Sequence, residues 1–440
     1  MNILIVSFWY DPMPSTQAYR WTPIAKELAR RGHNVSVVAG WQPGTDRRER
    51  DGGALVYRVG GALSERLRKR HVDNSQPVDP RHWRNNSTTG AGNLSLRVLK
   101  KTHDATWKKV YWPDAHCTWV IPAIRRARAL LRERTVDALV TVALPFSAHL
   151  VGLALQDAPP SFRWLCDMSD PFTYLEPAPP NNTLLYGRLN RLIESRVFER
   201  AHVVAVTCDA TAGRYSELYP SWRRKFVVIP HLWTPNSARP RTSDSSGGFT
   251  SRTGPVKLVY VGTLDGTTRN PGPFLDASRL IAESGSVPGF EVHFYGQIEN
   301  CDAMFERHRS SYGRWLFVHG LVDRQAASRA VANADILVNI GNRYQCQLPS
   351  KLVDYGSTGK PIVNVIGCSS DLSQDALRGY RAALHLVSQE DSLSDAQTWE
   401  LQRFLTQQKP LGQTEVDAWT EKFTLRAIVS GYEQHLGSSV

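Results

Sequence analysis

Ser350, Lys351 and Asp354 are the residues whose types and spacing are best suited to chemistry. They lie in Pro349-Ser-Lys-Leu-Val-Asp-Tyr-Gly-Ser-Thr-Gly-Lys-Pro-Ile-Val363. A hydroxyl and a lysine in the first turn of a helix, preceded by loop N–H groups, suit a phosphate. Asp354, one turn further in, is placed to accept hydrogen bonds from sugar hydroxyls. A phosphate site beside a hydroxyl acceptor points to a nucleotide or nucleotide-sugar. The plainer alternative is a helix N-terminus with an ordinary solvated lysine.

The elements that must position these groups are legible around them. Ala334–Ile340 is a short apolar run expected to form a buried strand, and the polar residues 341–348 form the loop that follows. Gly359-Lys-Pro361 stops the helix, and Pro361–Ile366 is the next strand. The same alternation runs upstream. Val256–Val261 is a strand running into Gly262 and Thr263, and a polar loop then carries Arg269, whose guanidinium suits a diphosphate. A helix is expected over 272–283. Strands ending at Gly296 and at His319-Gly320 turn into loops on the same edge.

The first half repeats the pattern. Asn2–Val6 is a continuous apolar run, as a central parallel strand requires. A loop, a helix over Tyr19–Arg31 and a strand over Val35–Ala39 complete a Rossmann-like opening without G-x-G-x-x-G. Ser15, Thr16 and Arg20 lie near that helix start, where they suit a polar or phosphorylated acceptor; a proline-stiffened loop is the plainer alternative. Further strands are expected over 136–142, 163–166, 203–207 and 226–230. Ser147, His149, Asp167 and Asp170 follow two of these strand ends and are candidates for the site wall, with a structural role the plainer alternative for a lone His or Asp.

Length and composition bound the answer. A chain of 440 residues exceeds one core, so two domains are expected: 1–235 and 256–415, joined by a Ser/Gly/Pro/Arg-rich linker over 236–255. A final helix falls within 416–440, with no visible packing partner. The net charge of +12 and the isoelectric point near 9.5 imply an acidic partner. The scattered cysteines 117, 166, 208, 301, 346 and 368 contain no C-x-x-C pair, which favours free thiols over a disulfide frame or zinc site. No apolar run is long enough to span a bilayer, and Met1 leads directly into a strand, so a cytoplasmic protein is expected.

Residues 62–112 stand apart. They hold eleven Lys or Arg against four Asp or Glu, with Trp83, Trp107 and Trp112 interleaved. That composition suits an anionic membrane surface. A solvated insertion is the plainer alternative. No nucleic-acid motif accompanies the patch, so nucleic acid is not an expected partner.

Taken in order, several segments are similar to those of GT-B glycosyltransferases of family 4, which are retaining and use nucleotide-sugars. They are Gly32-His-Asn-Val35; Trp112-Pro-Asp114 with Trp119; Trp164-Leu-Cys-Asp-Met-Ser-Asp-Pro-Phe172; Tyr260-Val-Gly-Thr263; and Pro349–Tyr355. The resemblance implies an α/β protein of two Rossmann-like domains facing across a cleft. It implies that the second domain binds a nucleotide-sugar, with UDP favoured as the nucleotide. Asp354 would hold the ribose hydroxyls. The 344–350 loop, starting at Tyr344, would cradle the diphosphate with Ser350 and Lys351. Arg269 would contact phosphate, Gly262 and Thr263 would lie against the donor, and Gly320 to Val322 would flank the base.

Arg269, Lys351 and the loop amides would stabilise the negative charge that builds on the departing diphosphate. His149 and Asp170 would position the acceptor or sugar. No D-x-D motif appears, and neither metal nor cofactor is expected. The acceptor expected is a glycan or lipid-linked glycan, at the inner face of the cell membrane. Departures from the family pattern are Cys346 at the first glutamate position, Thr263 for a common arginine, and Ile229-Pro-His-Leu-Trp233 for I-P-N-G. Rival readings are a sugar-nucleotide epimerase of the same fold and a binding module without turnover.

Overall fold

The computed structural model describes residues 1–13, 15–60, 110–156, 162–174, 179–233, 254–285, 287, 289–343, 351–368, 371–389, 391–407 and 409–437. Among these, 1–232 and the residues from 422 onward form one compact unit, and 233–421 form another. Most of the basic segment and of the expected linker lies outside the described residues, as do Tyr344, Cys346 and Ser350.

The first unit is built on eight strands: β1 Asn2–Val6, β2 Asn34–Gly40, β3 Arg48–Asp51, β4 Ala54–Val59, β5 Ala138–Ala143, β6 Arg163–Met168, β7 Val203–Val206 and β8 Phe226–Val228. Their order is β3-β4-β2-β1-β5-β6-β7-β8, parallel throughout except between β3 and β4. Its helices are α1 Thr16–Arg30, α2 Val120–Glu133, α3 Ser147–Leu155, α4 Thr183–Arg200 and α5 Asp209–Leu218. Strand residues alternate between two apolar layers. Ile3 and Ile5 face Trp21, Ile24 and Leu28 of α1. Leu4 and Val6 face the layer containing Ala123, Ala127, Ala148 and Val151 from α2 and α3. Burial on both faces is why these strands read as unbroken apolar runs.

Two features differ from the sequence reading. Asp51-Gly-Gly-Ala54 makes a hairpin that was not expected, with φ of 56° and 92° at Gly52 and Gly53, as a tight two-residue turn requires. The C-terminal segment is not one helix but two, Gln413–Thr420 and Leu425–Leu436, separated by a 3-10 turn over Glu421–Phe423. Thr424 starts the second by accepting from the Ala427 N–H at 3.3 Å. That last helix belongs to the first unit. It buries Ile428, Val429, Tyr432 and Leu436 in the same layer as Trp21, and Glu433 accepts from Arg31 at 2.6 Å.

The second unit holds β9 Val256–Val261, β11 Phe290–Tyr295, β13 Leu316–Gly320, β14 Ile336–Ile340, β15 Ile362–Ile366 and β16 Ala383–Val387 in one sheet. The short pair β10 Leu264–Asp265 and β12 Ile298–Glu299 stands beside it. The sheet order β13-β11-β9-β14-β15-β16 is parallel throughout. In order of appearance this is 3-2-1-4-5-6, the doubly wound arrangement, with its switch point between β9 and β14. Ligands in such sheets collect at the carboxyl ends of the strands flanking that point.

Candidate functional site

The loops after β9 and β14 are laced together. Arg269 donates from Nε to Asn342 Oδ1 at 2.8 Å and from Nη1 to the Thr263 carbonyl at 3.2 Å. The Arg343 N–H donates to the Thr268 carbonyl at 2.8 Å. Backbone approach at this edge is close enough to need glycine. A Cβ on Gly296, whose φ is 131°, would stand 2.1 Å from the Gly262 carbonyl oxygen. Gly262 and Gly320 also have positive φ, at 140° and 70°. Thr263 is exposed, and Val322 is half-buried two residues beyond β13.

Lys351 opens a short helix, Lys351–Gly356, and its ammonium is enclosed although its stem is partly exposed. Among the described residues the Nζ has no hydrogen-bond partner. It lies 3.8 Å from the centroid of the Tyr260 ring, whose hydroxyl donates to the Thr263 carbonyl. Burial first, and the neighbouring Arg269 charge second, hold its pKa well below the lysine range, against a smaller opposing pull from Asp371. Asp371 is itself buried, which raises its pKa, and it accepts from the Ser373 N–H at 2.8 Å. A buried amine without a hydrogen-bond partner thus stands near a half-buried guanidinium, and both groups can donate to an anion. Asp354 is exposed one turn further along the helix.

The first-unit candidates fall into two groups. Ser15 caps α1, accepting from the Ala18 N–H at 3.0 Å, and Thr16 is exposed beside it. Asp170 is half-buried just beyond β6. The remaining four are interior groups, which corrects the expectation that they line a ligand surface. Arg20 is 5% exposed and donates to the Pro230 and Ile229 carbonyls and to the Tyr432 hydroxyl. Asp167 lies inside β6, not after it. Its carboxylate accepts from Trp21 Nε1 at 2.6 Å and stands 3.9 Å from Arg20 Nε. Burial raises the Asp167 pKa, and the Arg20 charge opposes that.

Ser147 is fully buried and bound to Asp114, whose carboxylate accepts from both its N–H and its hydroxyl at 2.8 Å. Burial alone would raise the Asp114 pKa, but hydrogen bonds from His116 and Ser147 hold it below the usual value. His149 is fully buried because α3 turns it against β5 and β6. Its Nδ1 meets Thr141 Oγ1 at 2.7 Å, and burial pushes its pKa down to about 3.

Two interior groups on α4 went unread in the sequence. Asn190 accepts from Trp112 Nε1 at 3.0 Å and pairs with Asn181, which in turn donates to the Pro113 carbonyl. Glu194, one turn on, accepts from the hydroxyls of Thr173, Tyr215 and Tyr219 at 2.5, 3.0 and 2.7 Å. Burial raises its pKa against these bonds. The helix thus fastens both the 112–114 segment and the turn after Asp170. Their signal was a polar pair at i, i+4 inside a helix whose buried side would otherwise be apolar.

This arrangement, a doubly wound sheet with Lys351 and Arg269 at its switch point and a second such sheet in the same chain, narrows the class. Residues 16–231 match the model of the glycosyl transferase 4-like domain. The chain thus carries a glycosyl transferase 4-like domain, within a GT-B fold. No curated protein sequence matches it. Among solved structures it is similar to the catalytic domain of starch synthase IV from Arabidopsis thaliana bound to ADP and acarbose, at 11% identity and a TM-score of 0.58. That alignment covers 99% of this chain and 98% of the other. It is similar also to an alpha,alpha-trehalose-phosphate synthase (UDP-forming) from Burkholderia vietnamiensis, at 12% identity and a TM-score of 0.58, covering 99% of each chain. A structure titled trehalose-6-phosphate from E. coli, bound with UDP-2-fluoro glucose, aligns over 100% of both chains at 12% identity and a TM-score of 0.56. At such identities the likeness is one of fold.

Proposed function

We propose that this glycosyltransferase is retaining and moves a sugar from a nucleoside diphosphate sugar, with UDP-sugar the favoured donor, to an acceptor hydroxyl. The observation that carries the donor reading is the enclosed, unpartnered Lys351 ammonium beside Arg269 at the switch point of the second sheet. A diphosphate there supplies the missing negative charge. As the bond between the sugar and the diphosphate breaks, charge grows on the leaving oxygen, and both cations then bind it more tightly than in the ground state. Asn342 and the Thr263 carbonyl hold the guanidinium in place for this, so little reorganisation is needed. Asp354 is assigned to the ribose hydroxyls. The neighbours bound to ADP and to UDP-2-fluoro glucose support a nucleotide ligand for this fold.

The acceptor we assign is a lipid-linked glycan of cell-surface polysaccharide synthesis, met at the cytoplasmic face of the membrane. The chain's charge of +12 supports that reading. The reaction is assigned no metal and no cofactor, since the cation pair does the neutralising, so activity should survive chelation by EDTA.

The test is thermal shift against UDP, GDP, ADP and dTDP. A nucleotide at a hundred times its dissociation constant adds about 2.7 kcal/mol of stability. A shift from one nucleotide, lost in Lys351→Ala and reduced in Asp354→Ala, supports the donor site and names the base. A cooperative melt unmoved by every nucleotide removes it.

A further inference from the structure

Helix α4 turns leucines to solvent. Leu184, Leu185, Leu189 and Leu192 are 99%, 62%, 39% and 68% exposed, whereas exposed large apolar side chains elsewhere among the described residues are scattered. Isolated surface leucines mean little, but four on one helical face form a patch. At 100° per residue they share a single arc with Arg188 and Arg191, both exposed and without a carboxylate partner among the described residues. The acid in the middle of the helix, Glu194, points inward to its three hydroxyls. Arg196 and Glu199, further along, pair with each other.

We propose that this outward face of α4 docks the protein on an anionic lipid surface, lying in the interface with its leucines among the acyl chains and its arginines at the headgroups. Leucine interleaved with unpaired guanidinium is complementary to a surface that is apolar just beneath a negative layer. A second copy of the chain fits less well, because it would set Arg188 and Arg191 against their own kind. No helix among the described residues is long and apolar enough to cross a membrane. The inward face of the same helix fastens the 112–114 segment through Asn190 and the turn after Asp170 through Glu194. Docking therefore bears on the loops at the carboxyl ends of β5 and β6. The proposal deepens the reading of a membrane-borne acceptor and rests on it for its purpose.

The experiment is co-sedimentation of the full chain with vesicles of phosphatidylcholine and phosphatidylglycerol in about equal parts, against phosphatidylcholine alone. The wild type should sediment with the mixed vesicles. Leu185→Gln with Leu192→Gln should weaken that binding about a hundredfold, and Arg188→Gln with Arg191→Gln about 25-fold. Both variants should keep the wild-type melting temperature and the nucleotide-induced shift, because the altered side chains are exposed and lie in the other unit from Lys351. Undiminished binding by the leucine variant would overturn the proposal, as would a wild type that ignores both vesicles. A concentration-dependent dimer that the leucine variant dissolves would also overturn it, by giving the face to a protein partner. A chain that docks through α4 but glycosylates only water-soluble acceptors would keep the docking face and remove the lipid-linked acceptor.

Discussion

Replacing Lys351 with methionine separates a lysine kept for a ligand from one kept for the fold. Methionine retains most of the stem and removes the ammonium. In the ligand-free protein an enclosed cation without a hydrogen-bond partner costs about 1–3 kcal/mol. The Tyr260 ring, 3.8 Å from Nζ, returns about 0.5–2 kcal/mol. The balance favours methionine by about 1 kcal/mol, which should raise the melting temperature of the second unit by about 2–4 °C. With a nucleoside diphosphate present the sign reverses. Losing one partner of a buried charge pair costs about 2–5 kcal/mol, or roughly 30- to several-thousand-fold in dissociation constant. Scanning calorimetry without ligand and titration calorimetry with UDP or GDP read the two halves.

Protons give an independent check on the same residue. The folded pKa of Lys351 is depressed, by burial and then by Arg269. Between that value and the unfolded lysine value the unfolded chain binds more protons, so ligand-free stability should rise with pH through that window. A bound anion restores the charged form. Binding should therefore take up protons and weaken as pH rises, and Lys351→Met should do neither. A variant that melts lower than wild type yet binds nucleotide normally would refute the reasoning and leave Lys351 as a packing element on Tyr260.

Three further outcomes are expected. Arg20→Met should cost about 3–5 kcal/mol in urea unfolding, because it leaves Asp167 buried beside Trp21 without its cation; pairing it with Asp167→Leu should recover much of the loss. His149, with its pKa near 3, should stay neutral from pH 8 to 5 by NMR. Because the unfolded histidine protonates near 6.5, the stability it contributes is full above that pH. It falls by up to about 1.4 kcal/mol per unit as pH drops below it, and His149→Gln should flatten this dependence. Gly296→Ala should cost about 2–4 kcal/mol through its positive φ and its clash with the Gly262 carbonyl. The same change should weaken nucleotide binding, since the Thr263 carbonyl that holds Arg269 must move.

The two sheets were legible because parallel strands buried on both faces leave unbroken apolar runs, and Asn2–Val6 and Val256–Val261 are where the sequence puts them. Asp167 was misplaced by one step of that logic. Reading the strand as ending at Cys166 puts Asp167 in a loop. In fact β6 runs on to Met168, so Asp167 shares the face of Leu165 and meets α1. The last helix had no visible partner because its contacts, such as Arg31 with Glu433, join residues four hundred positions apart, beyond the reach of any local pattern.

Arg20 and Lys351 make the limit plain. Each is a cation near the start of a helix that follows a central strand, and by type and spacing each suits an anion. Arg20 finds two carbonyls and a hydroxyl from Ile229, Pro230 and Tyr432, all distant in sequence, and so belongs to the core. Lys351 is enclosed among aromatic and cationic neighbours and finds no hydrogen-bond partner among the described residues. What separates these two residues is the set of partners the fold delivers to each, and that set is a property of three-dimensional packing.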